Sequence, residues 1–341
     1  MIGKITRSLI CATAMIWSGV GQAQEITLKI SHYLPEKHGF QKDFLEVWGK
    51  ELTEKTHGKV AVEIHGAGSA FGEATRQADQ VKAGVVDISV GLAGIPRGRF
   101  PATSVIELPF LVKDADSGSK ALWQLYKEGA LGSEYDDFKV LALFVHPGGL
   151  IHTIKKPVHT LEDLAGLRLR SPNPAMNAML ESLSATPIGM PPAQIYESLE
   201  RGVLDGVVTT WDLVGAMRLN ELLRYHTDAK AYTSAFYVVM NKDKYASLPE
   251  DVRKAIDELS GDALVDRFGP WWNSWEAKGR ADAVARGQEI IEIDDATRAT
   301  WAAQVQPMID GYLEGLKADG VTDPAALYRR AQDLVTQFKT Q

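Results

Sequence analysis

Apolar and polar residues along the chain follow two spacings, one typical of strands and one typical of helices. Residues 26–31 and 59–65 alternate apolar and polar side chains, which predicts half-buried strands. Residues 39–56 place apolar side chains three or four positions apart, which predicts a helix with one buried face. A helix over 73–83 and a strand over 85–91 are predicted next. This order indicates a mostly parallel sheet covered by helices.

The same order of strands and helices returns in the second half of the chain. Short strands are predicted over 167–170, 188–190 and 203–208, with helical segments between them. The segments DQVKAGVVD (79–87) and ESLERGVLD (197–205) share a helix that ends at glycine and a strand that follows directly. Glycine after a helix is common, so this likeness could arise by chance. It otherwise indicates two domains of related build.

The first residues of the chain have the pattern of a secretory signal. Lys4 and Arg7 precede an almost wholly apolar or small stretch over 8–20, and small residues at 21 and 23 predict cleavage after Ala23. The apolar stretch is too short for a stable spanning helix, which needs about 20 residues. A membrane anchor or a buried N-terminal helix is the alternative. Without a later apolar stretch of spanning length, we expect no membrane insertion of the mature chain.

The amino-acid composition restricts the binding partners and the reactive groups that the chain can have. The formal net charge of the full chain is −7. Cleavage of the signal would remove Lys4 and Arg7, and with them two positive charges. An acidic chain disfavours nucleic acid and acidic membranes as partners, but it does not restrict a local binding site. Cys11 is the only cysteine and lies inside the signal. We therefore expect a mature chain without disulfides, thiolate nucleophiles or cysteine metal sites.

Motifs of known enzymes are incomplete in this sequence. The glycines of GAGSAFG (66–72) follow a strand, but the third one stands one residue too late for a dinucleotide-binding loop. The SGSK segment at 117–120 lacks the partner motifs of penicillin-recognising enzymes. None of the eight histidines has a compact metal-ligand spacing. We predict no catalysis, no cofactor and no metal.

One arginine stands where a ligand would bind. Arg170 ends the predicted strand over 167–170 and is followed by Ser171 and Pro172, so it lies at the carboxyl edge of a parallel sheet. Ligands of open α/β sheets bind at that edge. A guanidinium offers a planar pair of donors that matches a carboxylate. From these residues alone, Arg170 is either a ligand contact or an ordinary surface arginine.

Several segments, in their order and spacing, resemble the substrate-binding proteins of tripartite ATP-independent periplasmic (TRAP) transporters. They are GKV at 58–60, FG at 71–72, VKAGVVD at 81–87, ELPF at 107–110, KPV and LEDLAGLRLR within 156–170, and LERGVLDG at 199–206. The resemblance implies an α/β, two-domain, periplasmic-binding-protein-like fold. Its domains enclose a cleft and are joined by crossing strands and a long helix. We expect one domain from 24–147 plus about 236–275, and the other from 148–235 plus about 276–341.

The resemblance also implies a role for Arg170, whose counterpart in the family pairs with the ligand carboxylate. Two positions depart from the family pattern. Thr209 stands where many members have asparagine, and Leu150 stands where sialic-acid-type members have a second arginine. A dicarboxylate or sialic acid is therefore less supported than a monocarboxylate.

We expect the ligand site to combine Arg170 with aromatic and hydroxyl side chains from the cleft loops. Its predicted members are Arg170, Trp211, Thr209, Phe71, Tyr33, His38, His146 and Phe236, with Phe144 and Thr210 as further candidates. Phe144 and Phe236 lie in apolar strands, so packing inside a domain is an alternative for both. This lining favours a monocarboxylate with an apolar or aromatic body, followed by a hydroxy or keto acid.

The resulting hypothesis is a monomeric periplasmic receptor that closes around a small organic acid. It would deliver that acid to the integral-membrane subunits of a TRAP permease. Two alternatives remain at this point: a receptor for a signalling partner, and an exported hydrolase.

Overall fold

The computed structural model describes residues 26–339, and the predicted signal over 1–23 lies outside these residues. The described chain contains eleven strands and eleven α-helices. The strands are β1 (Ile26–His32), β2 (Val60–His65), β3 (Ile88–Leu92), β4 (Phe138–Val145), β5 (Gly149–Thr153), β6 (Arg168–Ser171), β7 (Thr186–Gly189), β8 (Gly206–Thr209), β9 (Tyr225–Tyr232), β10 (Ala235–Asn241) and β11 (Glu289–Glu292). The helices are α1 (Glu46–Lys55), α2 (Gln77–Lys82), α3 (Ala115–Lys127), α4 (Pro174–Ser182), α5 (Ile195–Glu200), α6 (Trp211–Ala216), α7 (Lys242–Ser247), α8 (Glu250–Glu258), α9 (Asp262–Ala285), α10 (Asp295–Ala318) and α11 (Pro324–Lys339).

The strands form two sheets, each the centre of one lobe. The first sheet has the order β2-β1-β3-β10-β4, with β1 parallel to β2 and β3 and with β10 antiparallel to its two neighbours. The second has the order β11-β9-β5-β8-β6-β7, in which β6 runs parallel to β7 and β8. All five residues of β3 are buried, which is typical of a strand that helices cover on both faces.

The chain crosses between the lobes where one strand leaves one sheet and the next enters the other. β4 belongs to the first sheet and β5 to the second, and only residues 146–148 separate them. β9 and β10 make the return crossing, separated by Thr233 and Ser234. The 24-residue helix α9 packs against α3 of the first lobe and against α6 of the second. The predicted two-domain α/β fold, with crossing strands and a long helix, is confirmed.

The C-terminal helices divide between the lobes. α10 packs on α4 of the second lobe, whereas α11 packs on α3 of the first lobe. Leu327, Tyr328 and Leu334 are buried on the inner face of α11. The amphipathic pattern of a helix shows that it has a buried face but does not identify the surface that covers it.

Candidate functional site

A cavity lies between the two lobes, at the crossing segments. Residues that follow β1 and residues at the end of β9 line it, together with the ends of β6 and β8 and one face of α9. The carboxyl ends of β6 and β8 meet at one edge because the two strands are parallel neighbours, with Arg170 opposite Val207. Both lobes therefore contribute side chains to one enclosed space.

Arg170 is the positive charge of this cavity. Its side chain is buried, with the residue 2% exposed, and its guanidinium donates to the carbonyl oxygens of Met190 at 3.2 Å and Val208 at 3.3 Å. Within residues 26–339 no carboxylate forms an ion pair with it, and burial lowers the pKa of this guanidinium. A buried cation without an anionic partner is costly. The site is therefore built to receive an anion.

Arg168, at the start of the same strand, shows the contrasting arrangement. Its guanidinium lies at the surface and pairs with Asp205 through two contacts, at 2.9 Å from Nε to Oδ2 and 2.7 Å from Nη2 to Oδ1. The charge of Arg168 is thus satisfied within the protein and screened by water. Of the two arginines of β6, only Arg170 has its donors directed into the cavity without an acidic partner.

Two tyrosine hydroxyls accompany Arg170. Burial raises the pKa of Tyr33 well above its usual value, while the charge of Arg170 lowers it. Burial likewise raises the pKa of Tyr232, which is lowered in turn by Arg170 and by a hydrogen bond with Thr209. Both phenols therefore keep their protons near neutral pH. An anion held by Arg170 has two phenolic donors in its surroundings.

His146 connects the two crossing segments. Its Nε2 accepts the backbone N–H of Ser234 at 3.0 Å, so its Nδ1 carries the proton and donates to the carbonyl oxygen of Pro147 at 2.5 Å. Burial lowers the pKa of His146 to about 4. The ring is therefore neutral at pH 7 and serves as a fixed wall of the cavity.

A second histidine joins the lobes across the cleft. His38 follows β1 in the first lobe, and its Nε2 lies 2.6 Å from Oδ2 of Asp212 in α6 of the second lobe. The backbone N–H of Phe40 donates to Nδ1 of His38 at 3.0 Å, so Nε2 is the atom that donates to Asp212. The contact exists only while the lobes are together, so the structure is a closed form.

The rest of the wall is aromatic. The ring centroids of Phe40 and Phe236 lie 5.5 Å apart, and that of Trp272 lies 5.8 Å from Phe40 and 5.9 Å from Phe236. All three side chains line the cavity. Together they provide an apolar part of the cavity lining, which suits a ligand with a flat apolar body.

Comparison with known proteins identifies the family. The model described as bacterial extracellular solute-binding protein, family 7, matches residues 30–315. The chain belongs to this family. Family 7 proteins include the TRAP solute receptors, so the resemblance seen in the sequence segments is confirmed.

Solved structures of related receptors contain aromatic acids. A TRAP solute-binding protein from Rhodoferax ferrireducens T118, in complex with copurified benzoate, is 32% identical, with a TM-score of 0.88 over 92% of this chain and 99% of that chain. A marine metagenome TRAP protein specific for aromatic acid ligands, in complex with 3-hydroxybenzoate, is 34% identical with the same TM-score and coverage.

A curated relative covers almost the whole chain. The outer membrane transporter protein TsaT of Comamonas testosteroni is 29% identical over 337 residues, which are 96% of this chain and 98% of that protein.

Six of the eight predicted site residues line the cavity of this family 7 protein. They are Arg170, Thr209, Tyr33, His38, His146 and Phe236. Phe144, the further aromatic candidate, lies behind the wall, where its ring stacks on Phe236 at 4.9 Å and on Phe268 at 3.6 Å. Thr210, the further hydroxyl candidate, lines the cavity.

Trp211 and Phe71 lie away from the cavity. The Trp211 ring packs on His152 and His226 of the second sheet, at centroid distances of 5.1 and 4.7 Å. Phe71, in the loop after β2, packs edge-on against His65 at 4.9 Å. Both rings bury apolar area against their own lobe, which an isolated aromatic residue in a loop does by default.

Several residues that line the cavity were not predicted from the sequence, among them Tyr232, Asp212 and Trp272. Tyr232 ends β9 directly before a crossing segment, and this position is a signal that could have been used. Asp212 follows the predicted Trp211 by one residue. Trp272 lies inside the long helix, where the periodicity gives no indication that one face meets a ligand.

The described residues offer no evident metal centre or membrane span. Within 26–339, no group of three or more histidine, cysteine, aspartate or glutamate side chains is placed to hold a metal ion. Over the same residues, no helix has both the length and the apolar character needed to cross a bilayer.

Proposed function

We propose that this family 7 protein is a periplasmic TRAP receptor that binds a small aromatic monocarboxylate between its lobes. The observation that carries the proposal is the buried guanidinium of Arg170, which has no acidic partner among the described residues. A ligand carboxylate supplies that partner through charge-assisted hydrogen bonds, and the hydroxyls of Tyr33 and Tyr232 surround it.

The apolar part of the ligand is assigned from the aromatic wall. Phe40, Phe236 and Trp272 form a surface that matches the face of a flat ring. Relatives at 32% and 34% identity hold benzoate and 3-hydroxybenzoate, which supports a ligand of this class. Among the described residues that line the cavity, Arg170 is the sole arginine or lysine, and Leu150 is buried beside Trp211, so these residues offer a second carboxylate no arginine or lysine.

Binding is proposed to proceed by lobe closure, without covalent chemistry. The contact of His38 with Asp212 holds the closed form, and opening of the lobes exposes Arg170 to water and to ligand. The closed receptor then passes its cargo to the membrane subunits of a TRAP permease, as the family implies. A ligand that contacts both lobes favours closure by its higher affinity for the closed form.

The arrangement around Ser234 argues against the exported hydrolase. Nε2 of His146 accepts the backbone N–H of Ser234, and Nδ1 donates to a carbonyl oxygen, so neither nitrogen is available as a base. The Ser234 hydroxyl instead lies 3.4 Å from the amide nitrogen of Asn173. A serine nucleophile activated by histidine requires its hydroxyl to bond to a free histidine nitrogen, and Ser234 and His146 do not provide this contact.

A ligand screen tests the proposed function. Thermal unfolding of the purified protein is measured against benzoate and its hydroxy derivatives, mandelate, aliphatic hydroxy and keto acids, dicarboxylates and uronates, and mass spectrometry identifies any copurified ligand. A ligand at a hundred times its Kd raises stability by about 2.7 kcal/mol. We expect this from aromatic monocarboxylates. A shift produced only by dicarboxylates or sugar acids, or turnover of a carboxylate ester, would contradict the proposal.

A further inference from the structure

Asp212 is the carboxylate of the cavity. Of the described side chains that line the enclosed space, it is the sole acidic one. His38 holds its Oδ2 at 2.6 Å, and the two side chains are only 1% and 10% exposed. Within residues 26–339 no donor is bonded to its Oδ1. One carboxylate oxygen is thus fixed by the opposite lobe, and the other remains available as an acceptor.

Asp212 and Arg170 share the cavity without pairing with each other. Both line it, yet they do not form an ion pair within the described chain. Both nevertheless act on the same buried ring, since Asp212 raises and Arg170 lowers the pKa of His146, whose pKa burial brings to about 4. A compact ligand bound by Arg170 therefore occupies the same closed, low-dielectric space as the Asp212 carboxylate.

Glu276 adds no second negative charge to this wall near neutral pH. Its carboxyl accepts the backbone N–H groups of Trp211 at 3.1 Å and Asp212 at 2.8 Å. Burial, together with the neighbouring charge of Asp212, raises the pKa of Glu276 to about 8. Glu276 thus anchors the first turn of α6 through its two backbone contacts, and Asp212 is the carboxyl side chain that lines the cavity.

We propose that Asp212, positioned by His38, is a specificity residue that excludes a second carboxylate and favours a hydroxyl on the ligand body. The inference rests on the proposed function and deepens it: the preferred ligand is a hydroxyl-bearing aromatic monocarboxylate. A second carboxylate placed beside Asp212 in a closed cavity meets like-charge repulsion. A hydroxyl donates to Oδ1 in a charge-assisted hydrogen bond. Both ring nitrogens of His38 are already engaged in hydrogen bonds, so His38 positions Asp212 and is not itself proposed to contact the ligand hydroxyl.

A matched ligand set isolates this effect. Calorimetric titration compares benzoate, 3-methylbenzoate, 3-hydroxybenzoate and isophthalate, which differ at a single ring position by hydrogen, methyl, hydroxyl and carboxylate. The wild-type protein is expected to bind 3-hydroxybenzoate at least fivefold more tightly than benzoate and 3-methylbenzoate, by roughly the strength of one charge-assisted bond. It is expected to bind isophthalate about a hundredfold more weakly than benzoate.

Three variants separate charge from shape. Asp212→Asn keeps an oxygen for the His38 contact and removes the charge, so isophthalate binding should improve about tenfold relative to benzoate. Asp212→Glu keeps the charge and should continue to reject isophthalate. The control is Asp137→Asn, which changes the net charge equally at an exposed aspartate that pairs with Lys82 at 2.6 Å, away from the cavity. It should leave all four affinities unchanged.

The possible results of these titrations distinguish failure of the role of Asp212 from failure of the proposed function. Equal binding of isophthalate and benzoate by the wild type, or an unchanged ratio in Asp212→Asn, would overturn the role of Asp212 while leaving the aromatic monocarboxylate receptor in place. Loss of benzoate binding in Asp212→Asn would also overturn it, because Asp212 would then be a structural support for the site. Absence of binding by every aromatic monocarboxylate would overturn the proposed function and this inference together.

Discussion

Replacement of Arg170 is the most direct test of how this receptor holds its ligand. Arg170→Met removes the guanidinium from a position that is 2% exposed and fills much of its space with an apolar side chain. Truncation of one partner in a buried, hydrogen-bonded charge pair costs about 2–5 kcal/mol. The affinity for an aromatic monocarboxylate should therefore fall roughly thirtyfold to several thousandfold. Arg170→Lys should lose at least tenfold, because an ammonium cannot form the paired contact.

The unliganded protein should respond differently. The substitution removes two hydrogen bonds, to Met190 and Val208, but it also removes a buried charge that lacks an acidic partner. These contributions oppose each other, since an unpaired buried charge is itself unfavourable. We expect the free energy of unfolding of Arg170→Met, without ligand, to stay within about 1 kcal/mol of wild type.

Calorimetric titration and urea unfolding measure the two quantities on the same samples. Arg168→Ala is the control, because Arg168 lies on the same strand and its exposed pair with Asp205 contributes at most about 1 kcal/mol. It should leave the Kd unchanged. Unchanged affinity in both Arg170 variants would remove this residue from the site, and a large loss of unliganded stability would show that an internal anion had been its partner.

Three further predictions concern the core, the helix contact and the ligand signal. Burial raises the pKa of Glu107 from 4.5 to about 8. Between these two pH values the folded chain keeps a proton that the unfolded chain releases. The free energy of unfolding therefore falls as pH rises from 4.5 to 8. In thermal melts, Glu107→Gln should therefore gain stability relative to wild type as pH rises from 5 to 8, and a constant difference would refute this. Gly279→Ala places a Cβ 2.0 Å from the carbonyl oxygen of Trp211. Urea unfolding should therefore show that the free energy of unfolding falls by about 1–3 kcal/mol. The control Gly311→Ala, in open space within α10, should be neutral or stabilising. Trp272→Phe should remove most of the ligand-induced change in tryptophan fluorescence, because Trp272 lines the cavity. The Kd should change by less than about threefold, because phenylalanine keeps the apolar wall. An undiminished fluorescence change would place the ligand elsewhere.

Local sequence patterns determined much of this protein. Alternation over 26–31 and 59–65, and helical spacing over 39–56, predicted elements that the structure contains within a few residues. Arg170 could be placed at the cavity because a parallel strand presents the residues at its carboxyl end to the sheet edge where ligands bind. These predictions depend only on residues that are close together in the chain. The order and spacing of the segments shared with the family predicted the two-lobe arrangement as well.

The tertiary structure alone decided which of two neighbouring side chains lines the cavity. Successive residues of a helix point about 100° apart, so only the packing of α6 on α9 turns Trp211 toward the second sheet and Asp212 toward the cavity. The contact of Asp212 with His38 joins residues 174 positions apart. Likewise, the apolar face of α11 was evident from its sequence, while its partner α3 was not. Such contacts form when the lobes and helices pack against each other, and no spacing along the chain records them.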